Sequence, residues 1–256
     1  MTHSILTEPP SPDDFSIPGE AFHEAAHANG RRVSETEIHR LASGFGIDDV
    51  SARRVFWLAG ARPEPAAAVI LIGGKSMRMG TDKAFMLLDG ESIASRLYKK
   101  LAPYFDEVFF SAARSQSSPV TGVRCVYDRL PGRGPLAGLA TGLSASPHRV
   151  NFVIACDIPN VDISLVRMLL STLEEVEIAV PAFSSMRTEP LFGAYDRSVG
   201  ATAERLLLNG VSKVISVYDH HHTRVLSATN TGWYMNLNSP EDVRLYLESH
   251  RSGANG

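Results

Sequence analysis

Glycines and cations lie together in one short stretch of the chain, where Gly73 and Gly74 end an apolar run and Lys75, Arg78 and Lys83 follow. Paired glycines let backbone N–H groups approach a phosphate or a base, because a side chain at either position would block that approach. An arginine fork with lysine point charges can neutralise a triphosphate. The spacing is neither that of a Walker A loop nor that of a G-x-G-x-x-G dinucleotide motif. We predict an anion-binding loop; a connector with solvated charges is the alternative.

Two aspartates directly follow apolar runs, Asp128 after residues 123–127 and Asp157 after residues 152–156. A single carboxylate such as Asp157 suits magnesium, which keeps several waters and takes its other ligands from substrate phosphates. The alternative for Asp157 is a helix N-cap, although Asp162 fits that role better. The carboxylate of Asp128 can accept hydrogen bonds from ribose hydroxyls or a guanine edge, and a turn aspartate bonded to its own backbone is the alternative.

The elements that must position these residues alternate between short apolar runs and helical stretches. Residues 68–72 and 152–155 are apolar at every position, as strands covered on both faces require. This alternation predicts an α/β fold with a mostly parallel sheet and helices on both faces. Ligands of such sheets bind beyond the carboxyl ends of the strands, so the glycine loop and both aspartates should meet there.

Three regions divide the chain. Residues 1–18 are rich in proline, acids and serine, and we predict a disordered tail. Residues 19–62 show three short helical patterns, one of them with Ser34 as N-cap, and predict a small α-helical module. Residues 63–65, Pro-Glu-Pro, interrupt the helical pattern because the residue before a proline disfavours the α region. Residues 66–250 should form the α/β domain.

The predicted helical module contains two patterns that resemble functional motifs. Residues 23–27 match H-E-x-x-H, but two histidines leave a catalytic zinc short of its usual three protein ligands. Residues 33–58 resemble a helix-turn-helix in spacing, yet no broad basic surface accompanies them. A docking or oligomerisation module is therefore the preferred interpretation.

Composition restricts the partners and the location. The formal net charge of -3 supplies no positive field for nucleic acid or an anionic membrane. Cys125 and Cys156 lie in apolar runs and should be reduced, buried thiols, and His220 to His222 should form a solvated loop. No secretory leader is apparent, and no run reaches the about 18 apolar residues of a membrane helix. We therefore expect a cytoplasmic protein.

Four motifs follow one another along residues 69–247, and together they resemble the molybdenum cofactor guanylyltransferases, the MobA family. This resemblance implies a Rossmann-like nucleotidyltransferase fold that transfers GMP from GTP to the terminal phosphate of molybdopterin, with Mg²⁺ bound and pyrophosphate released. It implies GTP and molybdopterin as partners, and molybdoenzymes or other cofactor-biosynthesis proteins as further ones. The motifs are Gly73-Gly74-x-x-x-Arg78-Met79-Gly80-x-Asp82-Lys83, Gly132-Arg133-Gly134-Pro135-Leu136-Ala137-Gly138, Cys156-Asp157-Ile158-Pro159 and Asn236-Leu237-Asn238-Ser239-Pro240-Glu241-Asp242.

The same resemblance implies the roles of individual residues. Two positions depart from the family pattern: Ile72 replaces a usual alanine, and Ser111 stands where related sequences often carry an asparagine, which puts one nucleotide hydrogen bond in question. The implied catalytic residues are Arg78, Lys83 and Asp157, with Asp157 as the metal ligand; the implied binding residues are Leu71, Ile72, Gly73, Gly74, Lys83, Asp128, Gly134, Pro135, Leu136, Asp157, Asn236 and Asn238.

The acceptor side is predicted near the C-terminus. Residues 234–242 have the pattern of a strand that leads into a helix, with Ser239 as N-cap and acids in the first turn. Asn236 and Asn238 would project from one face of that strand, and their amides suit a pterin edge. Residues 189–191 are a weaker candidate for the same region.

Two alternative functions remain open. One is a cytidylyltransferase or sugar-phosphate nucleotidyltransferase on the same fold, against which the Gly73-Gly74 pair and the 134–138 loop favour guanine. The other is a regulatory protein that binds the cofactor without catalysis. The intact Lys83 and Asp157 argue against it.

Overall fold

The computed structural model describes residues 5–6, 18–28, 33–59, 66–73, 83–113, 118–184, 187–227 and 235–252. The predicted boundary at residues 63–65 and most of the glycine and cation loop, residues 74–82, lie outside this part. The strands are β1 Ile5–Leu6, β2 Ala66–Ile72, β3 Leu87–Leu88, β4 Glu91–Ser92, β5 Glu107–Ala112, β6 Cys125–Tyr127, β7 Val150–Ala155, β8 Ile178–Ser184, β9 Arg187–Thr188, β10 Phe192–Asp196 and β11 Thr223–Ser227. The α-helices are α1 Gly19–Ala25, α2 Glu35–Phe45, α3 Asp49–Leu58, α4 Ile93–Leu101, α5 Pro135–Ala145, α6 Ile163–Thr172, α7 Val199–Leu208 and α8 Pro240–Ser252.

The main sheet has the strand order β1-β11-β8-β10-β7-β2-β5-β6, and β9 pairs with β8 outside that path. The central strand β2 pairs in parallel with both β5 and β7, so Val69 lies between Phe109 and Val153. Strand β10 runs antiparallel to β7 and β8. The predicted mostly parallel sheet is confirmed, and β10 is the strand that divides its parallel parts.

Side chains of β2 alternate between two cores, one on each face of the sheet. Ala68, Ile70 and Ile72 pack with residues of α4 and α6, whereas Val69 and Leu71 pack with residues of α5 and α7. All seven residues of β2 are buried, as the continuous apolar run predicts for a strand covered on both sides. Helices on both faces are therefore confirmed.

Helix α5 lies close to the sheet because two of its residues are glycines. A methyl group at Gly142 would lie 2.5 Å from Cγ1 of Val69, and one at Gly138 would lie 3.4 Å from Cδ2 of Leu71. Real Cβ contacts of 2.5 Å are not found, so the backbone of the helix itself packs on β2. This contact sets the distance between α5 and the sheet.

The helical module has its own core. Ala21, Leu41 and Phe56 represent α1, α2 and α3 in one buried cluster. Ser34 accepts a hydrogen bond from the N–H of Glu37, and the Glu37 carboxylate accepts one from the N–H of Ser34, which completes the capping box at the start of α2. Helix α3 packs against α6 of the α/β domain. Three short helices thus form where the sequence predicts them.

Deletion of residues 1–62 should leave a folded α/β domain that binds GTP, because the candidate nucleotide residues all lie between Leu71 and Asn238. Binding of a fluorescent GTP analogue by the truncated and full-length proteins gives the comparison, with equal affinity within about threefold expected. A truncated protein that melts cooperatively but has lost the nucleotide would contradict this division.

Two local predictions differ from the structure. Ile5 and Leu6, in the predicted tail, pair in parallel with Val225 and Leu226 of β11, because an apolar pair can complete the exposed edge of a sheet. His221 is buried rather than solvated: its Nδ1 lies 2.9 Å from Glu177 Oε1 and its Nε2 lies 2.9 Å from Thr202 Oγ1. A polar ring can be buried when both nitrogens have partners.

Among the helices that the structure describes, none has the length and apolar character needed to cross a membrane.

Candidate functional site

Four neighbouring parallel strands bring the candidate residues to one edge of the sheet. The strands β7, β2, β5 and β6 end at this edge, and each is followed by a loop or turn. The N–H of Cys156 donates to the carbonyl of Leu71 at 3.0 Å, and the N–H of Asp128 donates to the carbonyl of Ala112 at 2.9 Å. The loops after β2, β6 and β7, with Gly73, Asp128 and Asp157, therefore converge as predicted.

Gly73 has a conformation that only glycine fits. Its φ is +119°, and a Cβ would lie 2.8 Å from the backbone nitrogen of Ala113. Leu71 and Ile72 are buried, so only their backbone can face a ligand. Gly74 and Arg78 lie outside the described residues, as does the side chain of Lys83, whose backbone begins the short 3-10 helix Lys83–Phe85.

Asp128 is half-buried, and its carboxylate is unusual. Burial raises the pKa of Asp128 to about 6, and a hydrogen bond from Thr141 opposes that shift. The Oδ1 atom is buried and has no hydrogen-bond partner within the described ranges. A buried acceptor without a partner carries a desolvation penalty, which a ligand that donates to it can remove. The site therefore fits a ligand with donor groups, such as a base edge or ribose hydroxyls.

This arrangement makes a prediction about stability. The pKa of Asp128 is raised from 3.8 in the unfolded chain to about 6 in the folded protein. The folded state is therefore favoured relative to the unfolded one below pH 3.8, where the carboxyl is protonated, and this contribution to stability is lost as the pH rises through about 6. Asp128→Asn should therefore raise the melting temperature of the ligand-free protein at pH 7.5, and the gain should disappear near pH 4. Melting curves from pH 4 to 8 test this, with Asp219→Asn at an exposed position as control. A gain that is constant across this range would contradict the assignment.

The first turn of α5 meets the same edge. Gly134 is the N-cap with φ +74°, Pro135 is the first helical residue, and Leu136 is fully buried. These three predicted binding residues can therefore contact a ligand through their backbone groups and the pyrrolidine ring of Pro135. The buried side chain of Leu136 cannot take part. Ser111, at the end of β5, donates from Oγ to the carbonyl of Gly138 at 3.0 Å. Its hydroxyl proton thus bonds α5 rather than a nucleotide.

Asp157 lies in the turn after β7 and is half-exposed. Its backbone carbonyl accepts a hydrogen bond from the N–H of Leu237 at 2.8 Å. Asp162, not Asp157, caps α6, because its Oδ1 accepts from the N–H groups of Ser164 at 2.9 Å and Leu165 at 3.2 Å. The helix-capping alternative for Asp157 is therefore wrong, and its carboxylate does not serve that purpose.

The donor set fits magnesium better than zinc. In the parts of the chain that the structure covers, no three His, Cys, Asp or Glu residues cluster in a way that could hold a metal. A single half-exposed carboxylate is the donor that Mg²⁺ uses together with waters and phosphate oxygens, whereas zinc sites take three or four protein ligands.

The segment with Asn236 and Asn238 is not a strand, which corrects the sequence prediction. Its backbone makes hydrogen bonds elsewhere: Leu237 donates to Asp157, and Asn238 donates to Oδ2 of Asp242 at 2.8 Å. Asn236 is half-buried and Asn238 is exposed. The predicted cap is confirmed, since Ser239 Oγ accepts from the N–H of Asp242 at 3.2 Å. The segment therefore crosses the Asp157 turn and positions both asparagines beside it.

Sequence reasoning missed one polar neighbour of the site and left another as a weak candidate. Thr141, on α5, acts on the Asp128 carboxyl to lower its pKa, against the larger effect of burial. The signal for Thr141 was its place one turn after the Gly134 to Gly138 motif. Glu189 Oε1 accepts from the N–H of Leu191 at 3.1 Å, and Leu191 bonds Ala155 at the end of β7. Residues 189–191 thus lie next to the strand that leads to Asp157.

A mostly parallel sheet that brings Gly73, Asp128 and Asp157 to the carboxyl ends of its strands is typical of nucleotide-binding α/β folds. The family model of the MobA-like NTP transferase domain matches residues 68–225. The chain belongs to this family of enzymes.

Known proteins support this assignment. The chain is 30% identical over 199 residues to the probable molybdenum cofactor guanylyltransferase of Pelotomaculum thermopropionicum, covering 73% of this chain and 96% of that protein. Its fold is similar to that of the molybdopterin-guanine dinucleotide biosynthesis protein A of Archaeoglobus fulgidus, with a TM-score of 0.63 at 20% identity over 73% of this chain and 99% of that one. The 2-C-methyl-D-erythritol 4-phosphate cytidylyltransferase of Thermus thermophilus shares the fold, with a TM-score of 0.55 at 16% identity over 72% and 98% of the two chains.

Proposed function

We propose that this chain transfers GMP from GTP to the terminal phosphate of molybdopterin and releases pyrophosphate. The observation that carries the proposal is the hydrogen bond from Leu237 to the carbonyl of Asp157. It joins the turn with the metal-type carboxylate to the segment with Asn236 and Asn238. A transferase needs its metal site and its acceptor site in contact, because the acceptor phosphate must reach the nucleotide phosphate.

The donor nucleotide binds along the carboxyl ends of β2, β5 and β6. Backbone groups of residues 71–73 face the nucleotide, since their larger side chains are buried. Asp128 accepts from the guanosine, because its Oδ1 is buried without a partner in the described structure. The first turn of α5, from Gly134 to Leu136, lies beside it and offers backbone N–H groups to the O6 acceptor of guanine.

Asp157 is the residue that would hold Mg²⁺, and a bound metal would supply positive charge at the phosphates of the substrate. Lys83 and Arg78 add positive charge at the triphosphate, and Asn236 and Asn238 orient the pterin end of the acceptor. These roles are assigned from the motif positions and from the convergence of the loops at one edge of the sheet.

The reaction is an in-line displacement at the α-phosphorus of GTP. An oxygen of the acceptor's terminal phosphate forms the new P–O bond, and the bond to pyrophosphate breaks. Phosphoryl transfer leaves little covalent work to the protein, so positioning and charge neutralisation supply the catalysis. No covalent intermediate with the enzyme is needed.

The cytidylyl alternative has the fold in its favour, because a cytidylyltransferase shares it. Binding of guanosine is favoured by Asp128, whose buried acceptor matches the N1–H and 2-amino donors of guanine.

We place the reaction in the cytoplasm, and we assign the helical module to docking with molybdoenzymes or other cofactor-biosynthesis proteins.

Product analysis tests the proposal. The protein with GTP, Mg²⁺ and molybdopterin should give a guanine dinucleotide of the cofactor and one equivalent of pyrophosphate. Omission of molybdopterin should stop pyrophosphate release. Release of pyrophosphate or phosphate without a dinucleotide product would contradict the proposed transfer.

A further inference from the structure

A cavity of about 210 Å³ lies between β6, α5 and α7. The apolar side chains of Val126 and Leu207 border it from β6 and α7. Its wall on α5 consists of small residues, which leave the space open: Ala137, Ala140, Thr141, Ser144 and Ala145. Gly73, Asp128 and Asp157 do not line this cavity. The proposed transfer of GMP therefore makes no use of it.

The elements around the cavity are held in place by close contacts. A Cβ at Gly142 would lie 2.5 Å from Cγ1 of Val69, so the backbone of α5 packs directly on β2. A Cβ at Gly200 would lie 3.0 Å from the Cβ of Leu143, so the backbone of α7 also packs closely on α5. Neither helix can move inward to fill the space. Because close-packed interiors keep few voids of this size, the cavity is a preformed candidate for a ligand site.

The volume and the inner wall of the cavity limit its occupant. An apolar cavity of about 150 Å³ is large enough for a benzene ring, whereas pockets for larger ligands measure about 300–1,000 Å³. Ala140 and Leu207, on the inner wall, are buried and apolar. The cavity therefore fits one apolar group of the size of a phenyl ring, and it is too small for a nucleotide.

Two opposite charges lie at the rim of the cavity. Arg129, whose side chain is 80% exposed, and Glu204 both line it, and Nη1 of Arg129 lies 4.0 Å from Oε1 of Glu204. Charge-assisted hydrogen bonds between such groups measure about 2.7–2.9 Å, so the two side chains are not hydrogen-bonded to each other at this distance. A pair so exposed and so widely spaced contributes little to stability. The guanidinium can therefore take a carboxylate, and the Glu204 carboxylate can accept from an ammonium group.

We infer that this cavity binds a free α-amino acid with an apolar side chain of the size of a phenyl ring. The side chain of the ligand fills the space beside Ala140, its carboxylate pairs with Arg129, and its ammonium group pairs with Glu204. A free α-amino acid carries both charges next to its side chain, as the rim of the cavity requires. A ligand with only a negative charge would be repelled by Glu204, and one with only a positive charge would be repelled by Arg129. This site is independent of the proposed transfer reaction.

Calorimetric titration of the full chain with L-phenylalanine, without GTP, tests the inference. A Kd of about 1 mM or lower is expected for a ligand of this size. N-acetyl-L-phenylalanine lacks the ammonium group and L-phenylalaninamide lacks the carboxylate, so each should bind about 10-fold more weakly or worse. Glycine, which lacks the apolar group, should not bind measurably. No binding of L-phenylalanine at about 10 mM, or equal binding of the two blocked forms, would overturn the inference.

Variants show whether the ligand binds in this cavity. Ala140→Leu fills the space and should weaken binding of L-phenylalanine about 10-fold or more, and Ala140→Val replaces it if a melting curve shows that it does not fold. Arg129→Gln and Glu204→Gln should each weaken binding about 10-fold. Arg133→Gln is the matched control and should bind normally, because Arg133 is exposed in the same loop and does not line the cavity. Normal binding by the folded variant at position 140, or equal weakening by Arg133→Gln and Arg129→Gln, would place the ligand elsewhere and overturn the inference.

Discussion

Asp157→Ala should lower the turnover of GTP with molybdopterin by about 10³-fold or more, while the protein remains folded. The loss follows from the proposed metal role, because charge stabilisation by a bound metal supplies several kcal/mol, and about 1.4 kcal/mol corresponds to each factor of ten. The fold should survive, because the hydrogen bond from Leu237 goes to the backbone carbonyl of residue 157 and not to its side chain. The measurement is the initial rate of pyrophosphate release, with a melting curve for each protein.

A second variant makes that test specific. Asp157→Asn keeps the volume and removes the charge, so higher Mg²⁺ should restore part of its rate but not that of Asp157→Ala. Asp162→Asn is the matched control, because it lies in the same loop, caps α6 and has no place in the proposed site. Retention of most of the Mg²⁺-dependent turnover in Asp157→Ala would remove the metal assignment.

The sequence predicted the elements whose pattern is local. The continuous apolar run of β2 indicated a strand with both faces covered, and all its residues are buried. Ser34 and Ser239 were identified as caps because the side chain and the N–H groups that it bonds are close neighbours in the chain. The runs 123–127 and 152–156 also predicted that Asp128 and Asp157 follow strands, and β6 and β7 end just before them.

The features that sequence reasoning missed depend on contacts between distant residues. His221 lies in a run of three histidines, and only the fold brings Glu177 and Thr202 to its two nitrogens. Residues 235–238 have a strand-like pattern, yet the Asp157 turn takes the hydrogen bond that a neighbouring strand would need.

Within the site, the role of Ser111 also depends on a contact between residues that are distant in the sequence. The family comparison put a nucleotide hydrogen bond in question there, and the structure shows where the hydroxyl goes, to Gly138 of α5. The close approach of α5 that allows this bond depends on Gly142 and Val69, which are far apart in the sequence. At position 72 the chain has isoleucine where the family usually has alanine. The Ile72 side chain packs in the core on the face of the sheet covered by α4 and α6.

The largest expected effect besides Asp157 concerns the nucleobase. If Asp128 accepts from N1–H and the 2-amino group of guanine, inosine triphosphate leaves one buried interaction unmade. Such a loss costs about 1 to 3 kcal/mol, so ITP should be used about 5- to 150-fold less efficiently than GTP. Asp128→Asn should reduce this preference, because the amide offers one acceptor where the carboxylate offers two. Equal kcat/KM for ITP and GTP in the unmodified protein would show that the 2-amino group is not recognised.

The most direct measurement is the ratio of kcat/KM for GTP and CTP at fixed Mg²⁺ and molybdopterin. The proposed guanylyl transfer predicts that the preference for GTP over CTP is larger than the preference for GTP over ITP. The reason is that cytosine presents neither the N1–H donor nor the O6 acceptor of guanine. The preference should also fall in Asp128→Asn, which ties it to the candidate site. Equal efficiency for the two nucleotides, or a preference for CTP, would contradict the account and assign this chain to the cytidylyl transferases that share its fold.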